Sequence, residues 1–274
     1  MLKLSKLMKE QFKFLEAVAV LEKNTSPIKL IRSQVTRIQE LSILAVGVVI
    51  PTLNEEKNIE DVLLDLKNLG YYNILIIDGM STDETTKIAA RNGAKVILQN
   101  GKGKGNAIRQ GLGNGYLDAD AIVMMDADGS MDPKEIYGLV EALNSGADIV
   151  KGSRFMKAGA SYDMSSLRRI GNMLMVAVVN FLWSAKYTDL CYGFAAFNRR
   201  AIERLVPLLK SENFEVETEI FLKALDLGLV VKEVPSTEFE RRNGESNLHS
   251  FRDGLRILKT IAEEFVNSLS KRYK

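Results

Sequence analysis

Residues 45–78 read AVGVVIPTLNEEKNIEDVLLDLKNLGYYNILIID, and this stretch decides the fold. Val46 to Ile50 is a short run of Val and Ile bounded by Pro51, the pattern of a strand with both faces covered. Ile59, Val62, Leu63, Leu66 and Leu69 then recur at helical spacing until Gly70 stops the helix. Ile74 to Ile77 is a second apolar run. Strand, amphipathic helix and strand in so short a stretch make a βαβ unit, which implies parallel strands joined by a crossover.

The alternation continues downstream. Ser81 with Glu84 forms a capping box that predicts a helix ending near Gly93, and Val96 to Leu98 predicts a third strand. Ala121 to Met125 reads as the fourth strand. Asp132 and Pro133 follow as N-cap and first residue of a helix that stops near Gly146, and Ile149 and Val150 open a fifth strand. The expected fold is therefore an α/β, Rossmann-like doubly wound and mostly parallel sheet, with its ligand crevice beyond the carboxyl ends of the strands.

Upstream, residues 1–44 read as a helical N-terminal extension to the domain at 45–274. Leu4, Met8, Leu15 and Val18 form one stripe, and after Ser26 and Pro27 a second runs through Ile31, Val35, Ile38 and Leu41. Such stripes are expected to pack on the domain's own surface or on a second subunit, which allows a homodimer. Membrane-surface contact by the basic first helix is the other reading.

Composition narrows the class. Of 274 residues 46% are hydrophobic, and 37 Lys+Arg stand against 35 Asp+Glu, a near-neutral balance that gives no nucleic-acid-binding surface. The longest apolar stretch, Met173 to Trp183, is interrupted by Asn180 and falls short of the roughly 20 residues that cross a bilayer. The basic amphipathic N-terminus does not read as a signal peptide. A lone Cys191 makes no internal disulfide, so a cytoplasmic protein is expected, with peripheral contact at the inner face of the cell membrane.

The residues after each strand supply the chemistry: Pro51 to Glu55, Asp78 to Ser81, the Gly-Lys tract Gly101 to Gly105, Asp126-Ala-Asp128, and Lys151 to Arg154. Carboxylates beside Lys and Arg suit a metal-bridged phosphate ligand. In an extended segment Asp126 and Asp128 would point to one side and converge on one divalent cation. The Gly-Lys tract has neither P-loop nor dinucleotide-fold spacing, but its open N–H groups and Lys104 suit phosphate. His249, the single histidine, excludes a His cluster and is read as a supporting residue or a third metal ligand. Cys191 is read as a small buried apolar group.

Together, VVIPTLNEEKNI (48–59), DGMSTDET (78–85), GKGKGNAIRQG (101–111), MDADGSMDP (125–133), KGSRF (151–155), TDLCYGFAAF (188–197) and EVPSTEFERRNGESNL (233–248) resemble glycosyltransferase family 2. The likeness is to its dolichyl-phosphate mannose or glucose synthase branch, of GT-A fold, and covers about Val46 to Lys259. It implies an inverting hexose transfer from UDP-glucose or GDP-mannose with Mg²⁺ or Mn²⁺. By position, Pro51, Leu53 and Glu55 would border the nucleotide and Asp78 would read the base. Asp126 and Asp128 would hold the metal, while Arg154 and Arg241, with Ser246 and Asn247 nearby, would meet phosphate charge. Gly79 stands where many members carry a second acidic residue, and Gly129-Ser130 where the mannose synthases often supply a Gln.

A hydroxyl acceptor would need a base, for which Asp189 comes first, then Glu217 and Glu219, which open an amphipathic helix ending at Gly228, where acidic residues are also favourable as helix N-terminal charges. A polyprenyl phosphate needs no strong base. Arg168 and Arg169 ahead of the apolar run to Trp183 point to that lipid acceptor. A soluble hydroxyl acceptor and a non-catalytic nucleotide-sugar-binding scaffold are the alternatives. A glycoside hydrolase would leave the phosphate-binding set without purpose.

Overall fold

The structure, a computed structural model, describes residues 44–244 and 249–272. The leader helices read from the sequence, and Ser246 and Asn247, lie outside the described residues. From residue 46 onward the alternation is as expected: β1 (Val46–Thr52), α1 (Ile59–Asn68), β2 (Ile74–Asp78), α2 (Thr85–Arg91), β3 (Lys95–Leu98), α3 (Lys104–Gly113), β4 (Ala121–Met124), α4 (Ile136–Asn144) and β5 (Ile149–Ser153). The second half adds β6 (Ala160–Ser161), α5 (Ser166–Trp183), β7 (Ala195–Asn198), α6 (Arg199–Leu205), α7 (Val216–Asp226), β8 (Val231–Pro235), β9 (Thr237–Glu238) and α8 (Ser250–Arg272).

Seven strands form one sheet in the order β3-β2-β1-β4-β7-β5-β8. All pairs are parallel except those of β7, which runs antiparallel between β4 and β5. Strand pleating divides the core in two, since Val48 and Ile50 face Leu63 and Leu66 of α1 and Leu139 of α4. Val49 and Leu75 belong to the opposite cluster, with Ile108 of α3, Val179 of α5, Phe221 of α7 and Ile261 of α8. Burying each such side chain contributes about 1.5–3 kcal/mol, which is why runs without polar alternation become central strands. A side-chain carbon on Gly111 would lie 2.5 Å from Val49 Cγ1, so α3 sits closely on β1 only because that residue is glycine.

Three local readings are corrected. The turn before α2 is not a Ser81–Glu84 capping box. Asp83 Oδ1 accepts from the backbone N of Thr85 at 3.0 Å, while the Ser81 hydroxyl donates to Asp78 at 2.6 Å. Next, α7 is buried from Val216 through Ala224, making it a core helix rather than an amphipathic one. Finally, β4 ends at Met124 and the chain bends over 127–129, with Gly129 at φ 78°, so Asp126 and Asp128 do not share an extended segment.

The antiparallel β7 is what assembles the site. It brings its own entry, Cys191 to Gly193, to the carboxyl end of β4. The chain after β9 then runs back beside 128–131, with Phe239 N donating to Ser130 O at 2.8 Å and Arg242 N to Asp128 O at 3.0 Å. That return carries Arg241 over the second aspartate.

Candidate active site

Asp126 and Asp128 line one cavity of about 320 Å³. Asp126 Oδ1 lies 2.7 Å from Lys104 Nζ, which also lies 2.8 Å from Glu217 Oε1. Asp128 Oδ2 is 3.1 Å from Arg241 Nη2, and its Oδ1 accepts from Ser130 N at 3.0 Å. Burial works against the charge on Lys104, but Asp126 and Glu217 on either side outweigh it and raise its pKa. Burial likewise pushes Glu217 up, with Lys104 opposing the shift. Glu55 is raised mainly by burial and further by the charges of Asp128 and Asp126, which puts it within electrostatic reach of both.

One N–H group of the Gly-Lys tract is already taken, and the tract opens a helix. Gly105 N donates to Glu212 O at 2.8 Å, Gln99 Nε2 donates to Gly103 O at 2.8 Å, and the tract becomes the first turn of α3. Gly103 has φ 84°, and a side chain there would run into the Glu212 carbonyl. Lys104 is thereby held at a rigid helix start and aimed at Asp126.

Arg154 is not open to a phosphate as the sequence suggested. Its Nε donates to Asp189 Oδ2 at 2.7 Å and its Nη2 to Asp189 Oδ1 at 2.9 Å and Cys191 O at 2.8 Å. Its Nη1 donates to Glu238 at 3.1 and 3.2 Å, and the guanidinium carbon lies 4.6 Å from the Tyr192 ring centroid. Asp189, first in sequence as a base, is equally closed. The carboxylate is fully buried and also accepts from Arg154 N and Cys191 N at 3.2 Å. Burial opposes its charge, but Arg154 and Lys151 hold its pKa below the usual carboxylate range. A buried carboxylate with every neighbour donating to it braces the cavity floor and cannot reach an acceptor.

Glu219 is also removed from the cavity, because it accepts from Lys210 N and Ser211 N at 2.8–3.1 Å and so pins the loop before α7. Of the three base candidates only Glu217 borders the cavity. Cys191, expected to be buried, is half-buried and lines the cavity, and desolvation pushes its thiol up to about 12. His249 is exposed before α8. At the ends of β1 and β2, Leu53 is exposed and Pro51 half-buried, while Asp78 is fully buried. Asp78 accepts from Thr52 Oγ1 at 2.9 Å and from Ser81 N at 2.8 Å, so it braces this turn. A side-chain carbon on Gly79 would stand 3.2 Å from both Gln99 Oε1 and Thr52 O, so a larger residue there would require a neighbour to shift.

Among the described residues no three His, Cys, Asp or Glu side chains cluster as a complete metal cage. Two carboxylates on one cavity nevertheless fit Mg²⁺ or Mn²⁺, hard cations that take one or two protein carboxylates and fill their other positions with substrate phosphate and water. Asp126 and Asp128 would hold such an ion.

Away from the aspartates the cavity turns apolar, between Leu167 and Met175 of α5 and Phe251, Ile257 and Leu258 of α8. On this wall sits Asn172, which the sequence reading missed. Its Oδ1 accepts from Leu190 N at 3.1 Å, while its Nδ2 is buried without a hydrogen-bond partner. An unpaired buried donor costs about 1–3 kcal/mol.

The family model described as Glycosyl transferase family 2 matches residues 47–206. Glycosyltransferase AglJ of Haloferax volcanii is 35% identical over 213 residues, covering 77% of this chain and 68% of that protein. A dolichyl-phosphate hexose transferase of the same organism is 31% identical, covering 79% of this chain and 92% of its own length. The crystal structure of glucosyl-3-phosphoglycerate synthase from Mycobacterium tuberculosis with Mn²⁺, UDP and glucosyl-3-phosphoglycerate has TM-score 0.65 and 23% identity, covering 83% of each chain, and so shares the fold. A mostly parallel sheet with two aspartates at the end of its central strand, matched over most of its length by such relatives, places this chain in glycosyl transferase family 2.

Proposed function

We propose that this glycosyltransferase moves a hexose from a nucleoside diphosphate sugar to a polyprenyl phosphate at a membrane surface, with inversion and with Mg²⁺ or Mn²⁺. The observation that carries the reading is the two-sided cavity: Asp126, Asp128 and Lys104 at one end, Leu167, Met175 and Leu258 at the other, and the unpartnered Asn172 amide on the wall. A sugar-nucleotide diphosphate suits the first end. An apolar chain bearing a phosphate suits the second. The relative named as a dolichyl-phosphate hexose transferase supports the acceptor, and the Mn²⁺ and UDP complex of the structural neighbour supports the metal and a uridine donor.

A bound divalent ion would neutralise the charge that grows on the departing diphosphate. The chain's own residues do the rest. Lys104 adds a cation at that diphosphate, and Arg241 beside Asp128 adds another. A small turn of the Asn172 side chain would bring its unpartnered Nδ2 to an acceptor phosphate oxygen and so orient it towards the anomeric carbon. Because a phosphate is already largely ionised near neutral pH, no carboxylate has to remove a proton, which agrees with the closure of Asp189 and Glu219. Pro51, Leu53 and Glu55 would form the nucleotide side at the end of β1, and the buried Asp78, expected from the sequence to read the base, supports that turn from beneath.

The membrane part rests on α5. Met175, Val179 and Trp183 point into the core, whereas Ile170, Leu174 and Phe181 form an exposed stripe on the opposite side of the same helix. Phe181 is 85% exposed and Phe251 at the start of α8 is 80% exposed. Arg169, Arg252 and Lys259 are exposed on α5 and α8 and outnumber the exposed acidic Glu263, which pairs with Lys259, a balance that suits anionic lipid headgroups. Among the described residues no helix is long and apolar enough to cross a membrane.

The test is transfer of labelled hexose from UDP-glucose, UDP-N-acetylglucosamine and GDP-mannose, with Mn²⁺, to polyprenyl phosphate in vesicles and to soluble alcohols. Label in the organic phase is expected with one donor. Label found only in water-soluble product would overturn the lipid acceptor, and donor binding without transfer to any acceptor would favour the scaffold reading.

A further inference from the structure

We propose that Lys104 is a displaceable internal counter-ion that makes loading of the divalent cation depend on arrival of the donor diphosphate. The inference rests on the reading of Asp126 and Asp128 as the cation's ligands. Its starting point is that both aspartates already have a cationic partner, Lys104 at 2.7 Å and Arg241 at 3.1 Å. A metal ion arriving alone must take Asp126 from Lys104, whose ammonium then stays inside a largely buried site. Removing one partner from a buried ion pair is costly because the other charge is left uncompensated.

Glu217 changes that balance. At 2.8 Å it is a second carboxylate within reach of the same ammonium, so Lys104 can release Asp126 without being stranded. The approach of Glu217 is eased by glycine: a side-chain carbon on Gly193 would lie 2.7 Å from Glu217 Oε1 and would push the carboxylate from its present place. Lysine suits the task, since its compact charge on a flexible stem can exchange partners where the planar fork of Arg154 cannot. Once a diphosphate enters, its oxygens offer the ammonium a new partner and the cation a bridging ligand. Each then lowers the cost of the other, and by linkage the effect is reciprocal.

Glu217 is accordingly a positioning residue that holds Lys104, and proton removal is not its task. The sequence could not reveal this pair, because Lys104 and Glu217 are 113 positions apart and meet only where α3 and α7 lie together.

The experiment counts free Mn²⁺ by electron paramagnetic resonance on the full chain, with and without UDP as the probe. The wild-type protein is expected to hold Mn²⁺ weakly alone and at least about tenfold more tightly with UDP, within the usual range of coupling between sites. Lys104→Met should tighten Mn²⁺ alone by about tenfold and shrink the UDP enhancement towards unity. Glu217→Gln leaves Asp126 as the only carboxylate facing Lys104, so it should weaken Mn²⁺ alone while preserving the enhancement.

Unchanged or weaker Mn²⁺ binding by Lys104→Met without UDP would overturn the proposal. If that variant does not fold, as a melting curve would show, Glu217→Gln decides alone, and unchanged or tighter Mn²⁺ binding overturns it. Asp128→Ala separates the two levels. Wild-type Mn²⁺–UDP binding by that variant would remove the cation from this pair and sink both readings. Loss of binding there, with no gain in Lys104→Met, would sink only the coupling.

Discussion

Arg154 and Lys104 are both largely buried cations held between two carboxylates, yet one closes the cavity floor and the other faces its interior. Arg154 reaches Asp189, Glu238 and the Cys191 carbonyl through Nε and both terminal nitrogens, a rigid fork with each nitrogen occupied. Lys104 has two carboxylates on a single nitrogen, and Asp126 keeps 29% of its side-chain surface exposed. A buried ion network with every donor and acceptor engaged fixes a shape. A network that leaves a carboxylate open to a cavity keeps the capacity to bind a second cation.

The sharpest way to break the comparison is Asp126→Ala. On the Lys104 side it should lower hexose transfer by about 10³-fold, the scale of a lost electrostatic stabiliser, with little change in melting temperature. Nucleoside diphosphate release and a thermal melt read the two effects. On the Arg154 side the balance reverses: Asp189→Ala strands part of a buried guanidinium and should cost about 3–5 kcal/mol, or roughly 10 °C in melting temperature. The sign of its pH dependence follows from the lowered Asp189 pKa. The stabilisation is present above the ordinary carboxylate pKa and is lost as pH falls through the lowered one. The gap between wild type and Asp189→Ala in pH-dependent melts should therefore narrow on acidification below about pH 4.

Glu217→Gln sharpens the assignment of the third carboxylate. With a polyprenyl phosphate acceptor kcat should stay within about threefold, whereas loss of a general base would cost about 10²- to 10⁴-fold. Steady-state rates at saturating acceptor distinguish the two. Asn172→Asp keeps an oxygen for Leu190 N but replaces the free donor with a charge, so the acceptor KM should rise about tenfold while the donor KM holds. The smallest effect on chemistry is expected from Leu174→Asp with Phe181→Asp on the outer face of α5. Sedimentation with anionic vesicles should be lost, with donor binding and melting temperature unchanged. Retained sedimentation would move membrane contact elsewhere.

Most of the sheet was legible because each of its first five strands contains a short apolar run, set between helices of clear period. What escaped reading was short or buried. Neither β7, with four residues, nor β9, with two, is long enough to show a period, and the polar residues of α7 concealed that this helix is buried on all sides. The aspartate pair was legible from its place after a buried strand. Asn172 was not, because nothing near it in sequence tells which of its amide atoms lacks a partner.

By itself, then, the chain's local pattern determined the βαβ alternation, the rim of residues after the strands and the aspartates at 126 and 128. These rest on periodicity and caps that act across a few neighbouring residues. Only the tertiary structure decided that Asp189 and Glu219 are closed, that Glu217 remains on the cavity, and that Lys104 joins it to Asp126. Which carboxylate meets which cation depends on how distant helices and an inserted antiparallel strand pack. Burial then sets whether that charge braces the protein or meets a ligand.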